Sequence, residues 1–333
     1  KKNREELAKL ETLDTGKTLE ESYADMDDIH NVFMYFAGLA DKDGGEMINS
    51  PIPNTESKIV KEPVGVVTQI TPWNYPLLQA SWKIAPALAT GCSLVMKPSE
   101  ITPLTTIRVF ELMEEVGFPK GVINLVLGKG SEVGEPLSAH KEVDLVSFTG
   151  GIKTGKHIMK QAADHVTDVA LELGGKNPNV IFDDADFDLA VDQALNGGFF
   201  HAGEVCSAGA RIIVHNDIKE DFEKALIDRV SKIKLGNGFD DDTEMGPVIS
   251  PEHRDKIDKV TNTPRLELNF VFANVELSTG KALPVHYHLI DKPRTDCFKE
   301  IKNIEMNLTD PNAVERIKLT RIGDKLPKNV KET

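Results

Sequence analysis

The sequence has 333 residues, of which 40% are hydrophobic, so it can bury a substantial core; this excludes a disordered chain and predicts two or three domains. Its formal net charge of −14 would repel a phosphate backbone or an anionic membrane surface, so we expect no nucleic-acid partner. No apolar run reaches the roughly 18 residues of a membrane span, and the first residues do not resemble a signal peptide, which predicts a cytoplasmic protein without a membrane partner.

Residues 1–41 are predicted to form two helices with a break at Asp14-Thr-Gly16. Apolar residues recur at helical spacing in the second helix and predict one apolar face; they are Ile29, Val32, Phe33, Phe36 and Leu39. Because the chain begins inside a predicted helix and without methionine, we interpret it as the interior of a longer polypeptide.

Further along, buried strands are predicted to alternate with helices. Residues 58–70 have an extended pattern, and short apolar runs at 93–97, 122–127 and 145–148 are each followed by turn residues. Helical patterns occupy residues 77–90 and 103–116. This alternation predicts an α/β fold with a doubly wound, Rossmann-like parallel sheet, whose ligands bind at the carboxyl ends of the strands.

Two loops at such strand ends are candidates for binding a dinucleotide. In residues 146–155 a strand leads into a glycine turn and a helix start, where backbone N–H groups can approach an anion. The spacing of Gly150, Gly151 and Gly155 is not a full dinucleotide fingerprint, so a plain strand-to-helix turn is the alternative.

The second loop contains Lys97, Ser99 and Glu100. Glu100 could accept hydrogen bonds from ribose hydroxyls and would repel a 2′-phosphate, which favours NAD over NADP. A helix N-terminus that merely carries Ser99 and Glu100 is the alternative interpretation.

Glu172 is a carboxylate in the otherwise apolar run Leu-Glu-Leu-Gly-Gly at 171–175. If this run is buried, Glu172 becomes basic enough to act as a general base. A glutamate on the exposed face of a strand is the alternative.

Cys206 lies in a turn of small residues, where a thiolate could attack a carbonyl and a backbone N–H could hold the oxyanion. A buried, inert thiol is the alternative. His201 could be considered as the base for this thiol, but it is five residues away, and this offset does not place two side chains on one helix face.

Cys92, Cys206 and Cys297 are too far apart in sequence to form a Cys-x-x-Cys pair, so neither a disulfide framework nor a zinc site is predicted.

Asn74 lies between two prolines at the end of a predicted strand and is a candidate for a second oxyanion donor. An asparagine in such a turn often only satisfies the local backbone, which is the alternative.

Five motifs, in this order, resemble those of the aldehyde dehydrogenase superfamily, most closely the bacterial betaine-aldehyde dehydrogenases. They are Pro-Trp-Asn-Tyr-Pro at 72–76, Lys-Pro-Ser-Glu at 97–100, Phe-Thr-Gly-Gly at 148–151, Leu-Glu-Leu-Gly-Gly-Lys-Asn-Pro at 171–178 and Gly-Glu-Val-Cys at 203–206. The separation between Glu172 and Cys206 is also that of the family. The resemblance runs from the first residues to about residue 260.

The resemblance implies an enzyme that oxidises an aldehyde with NAD as cofactor. It implies Cys206 as nucleophile, Asn74 with the Cys206 backbone N–H as oxyanion hole, Glu172 as the base that activates water, and Lys97 as a further catalytic residue. The cofactor-binding residues that it implies are Ile70, Trp73, Lys97, Ser99, Glu100, Phe148, Thr149, Gly150, Gly151, Leu173 and Gly174.

Three positions depart from the family pattern. Gly151 and Lys153 stand where a serine and a glutamate are more usual, and Glu204 stands where glutamine is common. The negative charge of Glu204 near the thiol would disfavour the thiolate and slow its attack.

For the substrate, the resemblance points to betaine aldehyde, with glycine betaine as the product. Tyr75 and Trp82 match two aromatic positions that enclose trimethylammonium, and Phe200 lies near a third. Each ring face offers about 0.5–2 kcal/mol of cation–π attraction. Since Trp82 follows Tyr75 at a helical interval, a simple core position is its alternative.

The resemblance also implies a domain organisation. It implies an NAD-binding domain at 1–48 and 64–173, strands like the family's oligomerisation arm at 49–63, an incomplete α/β catalytic domain at 174–262 and an unassigned tail at 263–333. The family forms homo-oligomers, but the strand that joins a neighbouring subunit is not found in this tail.

The tail also lacks the family's Glu-Glu-x-Phe-Gly-Pro stretch, whose glutamate holds the nicotinamide ribose. It has instead an alternating run through Leu266, Leu268, Phe270 and Phe272. A frameshift, a fusion and a divergent ending are all consistent with it. His286 and His288 would share one face of a strand, but no third ligand accompanies them, so no metal is predicted.

Overall fold

The computed structural model describes residues 1–42 and 44–261 and two short strands beyond them. The helices are α1 (Arg4–Thr15), α2 (Leu19–Leu39), α3 (Pro76–Ala89), α4 (Leu104–Glu115), α5 (Glu135–Ser138), α6 (Ile152–Ala163), α7 (Phe187–Phe199), α8 (Lys219–Val230) and α9 (Pro251–Thr261). The strands are β1 (Glu46–Ile48), β2 (Ser57–Ile59), β3 (Val66–Ile70), β4 (Ser93–Lys97), β5 (Ile123–Leu125), β6 (Leu145–Gly150), β7 (Asp168–Leu173), β8 (Pro178–Ile181), β9 (Arg211–Val214), β10 (Val275–Glu276) and β11 (Lys281–Ala282).

The chain forms two compact units. The first comprises Lys1–Gly175, Glu204–Cys206 and Lys234–Lys256, and the second comprises Lys176–Gly203, Ser207–Ile233 and Ile257–Thr333. None of the helices described in either unit is both long and apolar enough to cross a membrane.

A parallel five-stranded sheet in the order β5-β4-β3-β6-β7 organises the first unit. From β3 the chain adds β4 and β5 on one side and then returns to add β6 and β7 on the other. This reversal makes the β3–β6 boundary a topological switch point, where ligands of α/β sheets bind. The predicted α/β fold with a doubly wound parallel sheet is therefore confirmed.

The sheet is covered by apolar side chains from α3 and α4. Leu94 and Met96 of β4 are fully buried and pack with Ile84 of α3 and Phe110 of α4. On the other half of the sheet, a smaller cluster joins Val146 of β6 to Ile158 of α6.

The predicted break between the first two helices is present at Gly16. This residue ends α1 in the left-handed conformation, with φ 79°, and its N–H donates to the Thr12 carbonyl. Thr18 and Glu21 then form a capping box that starts α2.

The predicted apolar face of α2 is correct in its first part and wrong at its end. Ile29 is buried, and Phe33 packs against the core, but Leu39 is exposed. No element among the described residues buries the last turn of the helix, and periodicity alone does not reveal whether a face is covered.

A loop of the first unit closes over the turn between α1 and α2. The Leu19 N–H donates to the Gly238 carbonyl at 2.8 Å. A Cβ atom at Gly246 would lie 1.9 Å from the Gly16 carbonyl oxygen, so only glycine fits this contact. The segment that contains Gly238 and Gly246 is therefore part of the first unit, although it follows the α1–α2 turn by more than 200 positions in the sequence.

The second unit contains a parallel pair, β8 and β9, packed with α7 and α8. Val191, Ile212, Phe222 and Leu226 are large apolar side chains buried in this packing. The strands β10 and β11 pair antiparallel.

Candidate active site

Loops that follow β3, β4 and β6 meet at the switch point of the sheet. Ile70, the last residue of β3, is in register with both Lys97 of β4 and Phe148 of β6. On the next strand, Glu172 is opposite Thr149, and Leu173 is opposite Gly150. The strand register therefore brings most of the predicted cofactor residues, together with Glu172, to one edge of the sheet.

Cys206 lies in an exposed turn, and its thiol is accessible. This exposure argues against the alternative of a buried, inert cysteine. Cys92 is, by contrast, a buried core residue between α3 and β4.

Asn74 is half-buried, and its side chain contacts the cysteine turn. Its Nδ2 atom donates a hydrogen bond to the backbone carbonyl of Glu204 at 2.7 Å. This bond reaches across 130 positions, so Asn74 does more than satisfy its local backbone.

Glu204, two residues before Cys206, is buried. Its Oε1 atom accepts a hydrogen bond from the Ile249 N–H at 3.1 Å and lies 3.6 Å from Nε2 of His253. Burial raises the pKa of Glu204 to about 7, against the opposing effects of the Ile249 N–H and the Lys17 ammonium. The predicted negative charge near the thiol is thus only partly present at neutral pH.

Glu172 is exposed on β7, which agrees with the alternative of a glutamate on the exposed face of a strand. The strand is at the edge of the sheet, where the side chains of Val169, Leu171 and Leu173 pack against the α6 cluster. Side chains alternate along a strand, so Glu172 points to the opposite face, where its side chain is exposed.

Lys83 is a residue that the motif analysis missed. It is buried on α3, donates a hydrogen bond from Nζ to the Ser147 hydroxyl at 3.0 Å, and interacts electrostatically with Glu172. Burial lowers the pKa of Lys83 to about 8, while Glu172 acts in the opposite direction. The sequence feature that could have revealed Lys83 is its position seven residues after Pro76, on the core side of an apolar helix.

Lys97 and Glu100 form an ion pair at the end of β4. Lys97 is buried, and its Nζ donates to the Pro98 carbonyl at 3.0 Å and to Oε2 of Glu100 at 3.3 Å. Glu100 is more exposed; burial acts to raise its pKa, but hydrogen bonds from the backbone and the Lys97 charge outweigh this and lower it. Ser99 lies between them and accepts a weak hydrogen bond from the Ile101 N–H.

The glycine turn after β6 has the shape expected for close approach of an anion. No side chain caps α6 at Gly151, and a Cβ atom at Gly151 would meet open space. A Cβ at Gly155 would lie 2.7 Å from Leu173, so this glycine lets α6 pack closely on β7. Phe148 is buried, and a Cβ atom at Gly150 would lie 2.5 Å from the tip of its ring, so glycine at this position leaves room for the Phe148 side chain.

Tyr75 and Trp82 lie two helical turns apart along α3. Tyr75 is half-buried, and the Lys17 ammonium lies 4.4 Å from its ring centroid. Burial and the nearby Asp25 raise the pKa of Tyr75. Trp82 is 49% exposed, so the alternative that it belongs to the core is wrong.

The remaining predicted residues are placed as follows. Trp73 is half-buried and packs edge-on against His253, with 5.1 Å between ring centroids. Gly174 is exposed just beyond β7. Phe200, in the second unit, is 44% exposed at the end of α7.

Comparison with known proteins identifies the fold. Residues 1–268 match the aldehyde dehydrogenase family. The chain belongs to the aldehyde dehydrogenase family. The recognition based on the five motifs is therefore confirmed, and the match ends a few residues beyond the predicted limit.

Two curated members of the family are similar to this chain over most of its length. The betaine aldehyde dehydrogenase of Bacillus subtilis (strain 168) is 69% identical over 255 residues, which cover 77% of this chain and 52% of the relative. The aminoaldehyde dehydrogenase 2 of Zea mays is 46% identical over 271 residues, which cover 80% of this chain and 54% of the relative. The chain thus spans about half the length of the curated aldehyde dehydrogenases it matches.

A solved structure in the family is also similar. It is a point mutant of betaine aldehyde dehydrogenase from Staphylococcus aureus, in complex with NAD+ and with a BME-modified cysteine, at 85% sequence identity and a TM-score of 0.78. The match covers 78% of this chain and 52% of that one. The predictions for the alternating run at 266–272 and for His286 and His288 lie outside the described residues.

Proposed function

We propose that this chain carries the nucleophile and the cofactor-binding sheet of an NAD-dependent aldehyde dehydrogenase that converts betaine aldehyde to glycine betaine. The observation that carries the proposal is the exposed Cys206 turn, fixed to the side chain of Asn74 at the carboxyl end of the sheet. Family membership and the names of the similar betaine aldehyde dehydrogenases support the reaction and the substrate.

The strand ends offer groups that suit a dinucleotide. The uncapped start of α6 after Gly151 presents backbone N–H groups to a pyrophosphate, and the side-chain oxygens of Glu100 suit ribose hydroxyls. Thr149 has a buried hydroxyl with no hydrogen-bond partner among the described residues, which suits a further polar contact. NAD, when bound, would be the two-electron oxidant of the reaction.

In the first step, the Cys206 thiolate adds to the aldehyde carbonyl and forms a thiohemiacetal. The carbonyl oxygen becomes negatively charged, and we assign its stabilisation to the Cys206 backbone N–H and the amide of Asn74. The hydrogen bond from Asn74 to the Glu204 carbonyl holds this amide against the turn, so little reorganisation is required during the reaction.

Bound NAD would supply the oxidation at this stage by accepting a hydride from the carbon bonded to Cys206, which would leave Cys206 as a thioester. Glu172 takes a proton from the water that attacks this thioester, which releases the carboxylic acid and restores the thiol. The exposed position of Glu172 gives water access to it, and Lys83 is near enough to interact with it electrostatically.

The aromatic side chains support a cationic substrate. Trp82 presents half of its surface to solvent, and a quaternary ammonium can bind to such a ring without a competing anion. One face of Tyr75 already carries the Lys17 ammonium, so that face does not serve the substrate.

A thiol substitution tests the proposed function. Cys206→Ala should abolish both NADH formation from betaine aldehyde and ester hydrolysis, while NAD affinity in calorimetry stays unchanged, because the thiol forms the covalent bond but does not hold the cofactor. Cys92→Ala, which removes a buried thiol of the sheet core, is the control. Turnover by Cys206→Ala would exclude this nucleophile, and ester hydrolysis without aldehyde oxidation in the wild type would favour a cysteine-dependent esterase.

A further inference from the structure

The ring of Tyr75 lies against a buried ammonium group. Nζ of Lys17 is 4.4 Å from the centroid of this ring, and the Lys17 side chain is 1% exposed. The two residues are remote in sequence: Lys17 is in the turn between α1 and α2, and Tyr75 immediately precedes α3. A cation at this distance is attracted to the face of an aromatic ring, most strongly where both groups are shielded from water.

Carboxyl groups of two helices fix the position of this ammonium. Oδ2 of Asp25, in α2, lies 2.6 Å from Nζ of Lys17, and Oε1 of Glu11, in α1, lies 3.7 Å from it. Glu11 is held in turn by α4, because the Thr105 hydroxyl donates to its Oε2 at 2.7 Å. Burial raises the pKa of Asp25 to about 6, so above this pH its carboxylate balances the charge of Lys17.

The stability of the fold does not by itself account for this buried cation. A buried ion pair seldom stabilises a protein more than apolar side chains of the same volume would. The contact with Tyr75 indicates where the ammonium acts. Burial, Asp25 and Glu21 raise the pKa of Tyr75, and Cys206 adds to this effect, so the phenol hydroxyl is within electrostatic range of the thiol. Lys17 therefore contacts an aromatic residue that lies close to the reacting cysteine.

We propose that Lys17 is a positioning residue for the recognition of a cationic substrate: its buried ammonium fixes the ring of Tyr75 near the Cys206 turn. Without the ammonium, the ring loses this attraction and can adopt other orientations. A ring that is fixed before the ligand arrives binds a quaternary ammonium at a smaller entropic cost. The consequence for the substrate rests on the function proposed above, whereas the attachment of Tyr75 to Lys17 does not.

A double-mutant cycle tests the attachment without cofactor or turnover. Urea unfolding is measured for the wild type, Lys17→Met, Tyr75→Leu and the double variant at pH 5.5, where Asp25 is largely protonated and the loss of Lys17 is less costly. Lys17→Met should change the unfolding equilibrium constant about tenfold less in the Tyr75→Leu background, which is roughly 1.4 kcal/mol. In the Tyr75→Phe background, which keeps the ring, its effect should equal that in the wild type.

Arg4 and Tyr23 are the matched control pair. The guanidinium carbon of Arg4 is also 4.4 Å from the centroid of the Tyr23 ring, but the Arg4 side chain is 40% exposed. Because a cation–π contact in water is weaker, the cycle of Arg4→Met and Tyr23→Leu should give a coupling of no more than about fivefold.

Steady-state kinetics at pH 8 test the consequence for the substrate. In Lys17→Met, the KM for betaine aldehyde should rise at least about fivefold, and the KM for tert-butylacetaldehyde, its uncharged isostere, should change by less than about twofold. A purely structural role of Lys17 would change the KM of both aldehydes alike. Lys17→Arg keeps a cation and should restore part of the difference.

A coupling below about twofold between Lys17 and Tyr75 overturns the proposal. Equal changes of KM for the two aldehydes overturn the consequence for the substrate. A wild type that oxidises neither aldehyde contradicts the proposed function instead, and the cycle then decides on the attachment. If Lys17→Met does not fold, acetylation of Lys17 by acetic anhydride decides: it should be at least about fivefold faster in Tyr75→Leu than in the wild type or Tyr75→Phe, and equal rates overturn the proposal.

Discussion

Lys17 is a buried cation whose neighbours are two carboxyl groups and an aromatic ring. Its Nζ lies 2.6 Å from Oδ2 of Asp25 and 3.7 Å from Oε1 of Glu11, and the side chain is 1% exposed. Burial raises the pKa values of both carboxyl groups, that of Asp25 to about 6, while Lys17 acts to lower them. Removing one partner of such a group leaves an uncompensated buried charge.

We predict that Lys17→Met destabilises the chain by about 3–5 kcal/mol at pH 8 and by less at pH 5. The pKa of Asp25 is raised on folding, so the stability it contributes is present below pH 3.8 and is lost as the pH rises through about 6. Without Lys17 this pKa rises further, and ionisation at pH 8 becomes more costly. Urea unfolding at both pH values measures the difference.

Lys9→Met is the control for this prediction, because Lys9 forms an exposed pair with Glu5 and such pairs contribute little. A loss that is the same at pH 5 and pH 8 would contradict the assignment of the effect to buried carboxyl groups.

Glu100 is predicted to set the cofactor preference. Its carboxylate would repel the 2′-phosphate of NADP, so we expect NADP to bind at least about tenfold more weakly than NAD, which is roughly 1.4 kcal/mol. Calorimetry with each dinucleotide measures the ratio of the NAD and NADP affinities, and Glu100→Gln should reduce this ratio. Equal affinities in the wild type would rule out this role.

The local sequence indicated several features of the site. The small residues around Cys206 indicated an exposed turn, and the loops after β4 and β6 are at the switch point as expected. The exposure of Glu172, by contrast, depends on which side of an edge strand is covered. The contacts of Lys83 and Glu204 join segments that are remote in sequence, and no motif records such contacts.

At the level of helices and strands, apolar periodicity was a reliable guide where an element packs on the sheet. The strand β4 has the predicted bounds, and α3 and α4 differ from prediction by one residue at each end. The strand β6 is two residues longer than predicted because Thr149 and Gly150 pair with β7. Such an extension depends on a partner strand and is not visible in the local pattern.

Gly246 gives a prediction about the loop that closes over the α1–α2 turn. Gly246→Ala would place a Cβ 1.9 Å from the backbone oxygen of Gly16, so the loop must move away, and we expect a loss of at least about 2 kcal/mol. Gly38→Ala is the control, since its Cβ meets open space inside α2, where alanine favours the helix. Urea unfolding gives the free energy of unfolding of each variant. If Gly246→Ala were as stable as Gly38→Ala, the loop would not depend on this contact.

At the scale of the whole molecule, we predict that the chain binds NAD measurably but oxidises betaine aldehyde far more slowly than a full-length relative. The sheet provides Lys97, Glu100 and the Gly150 turn for the cofactor. Oxidation also requires a nicotinamide held at near-attack distance, and a displacement of about 1 Å can cost a factor of about 100 in rate. The glutamate that the resemblance places on the nicotinamide ribose is not found in this sequence.

Purified chain and a full-length relative, assayed side by side at saturating NAD and aldehyde, provide the test, with NAD affinity measured separately. Comparable turnover would show that residues 263–333 supply the contacts that the family draws from elsewhere. Absence of NAD binding would show that the sheet alone is not sufficient.

The contact between Gly246 and Gly16 also constrains the order in which the first unit folds during translation. The ribosome adds about 5–20 residues per second, so the partner of the Gly16 turn emerges roughly 10–50 s after the turn itself. During that interval α1 and α2 can form, but the carbonyls of Gly16 and Lys17 lack the loop that later covers them. Folding of the first unit therefore cannot be completed in the order of synthesis, because the loop that covers the early Gly16 turn is among the last segments of the unit to be synthesised.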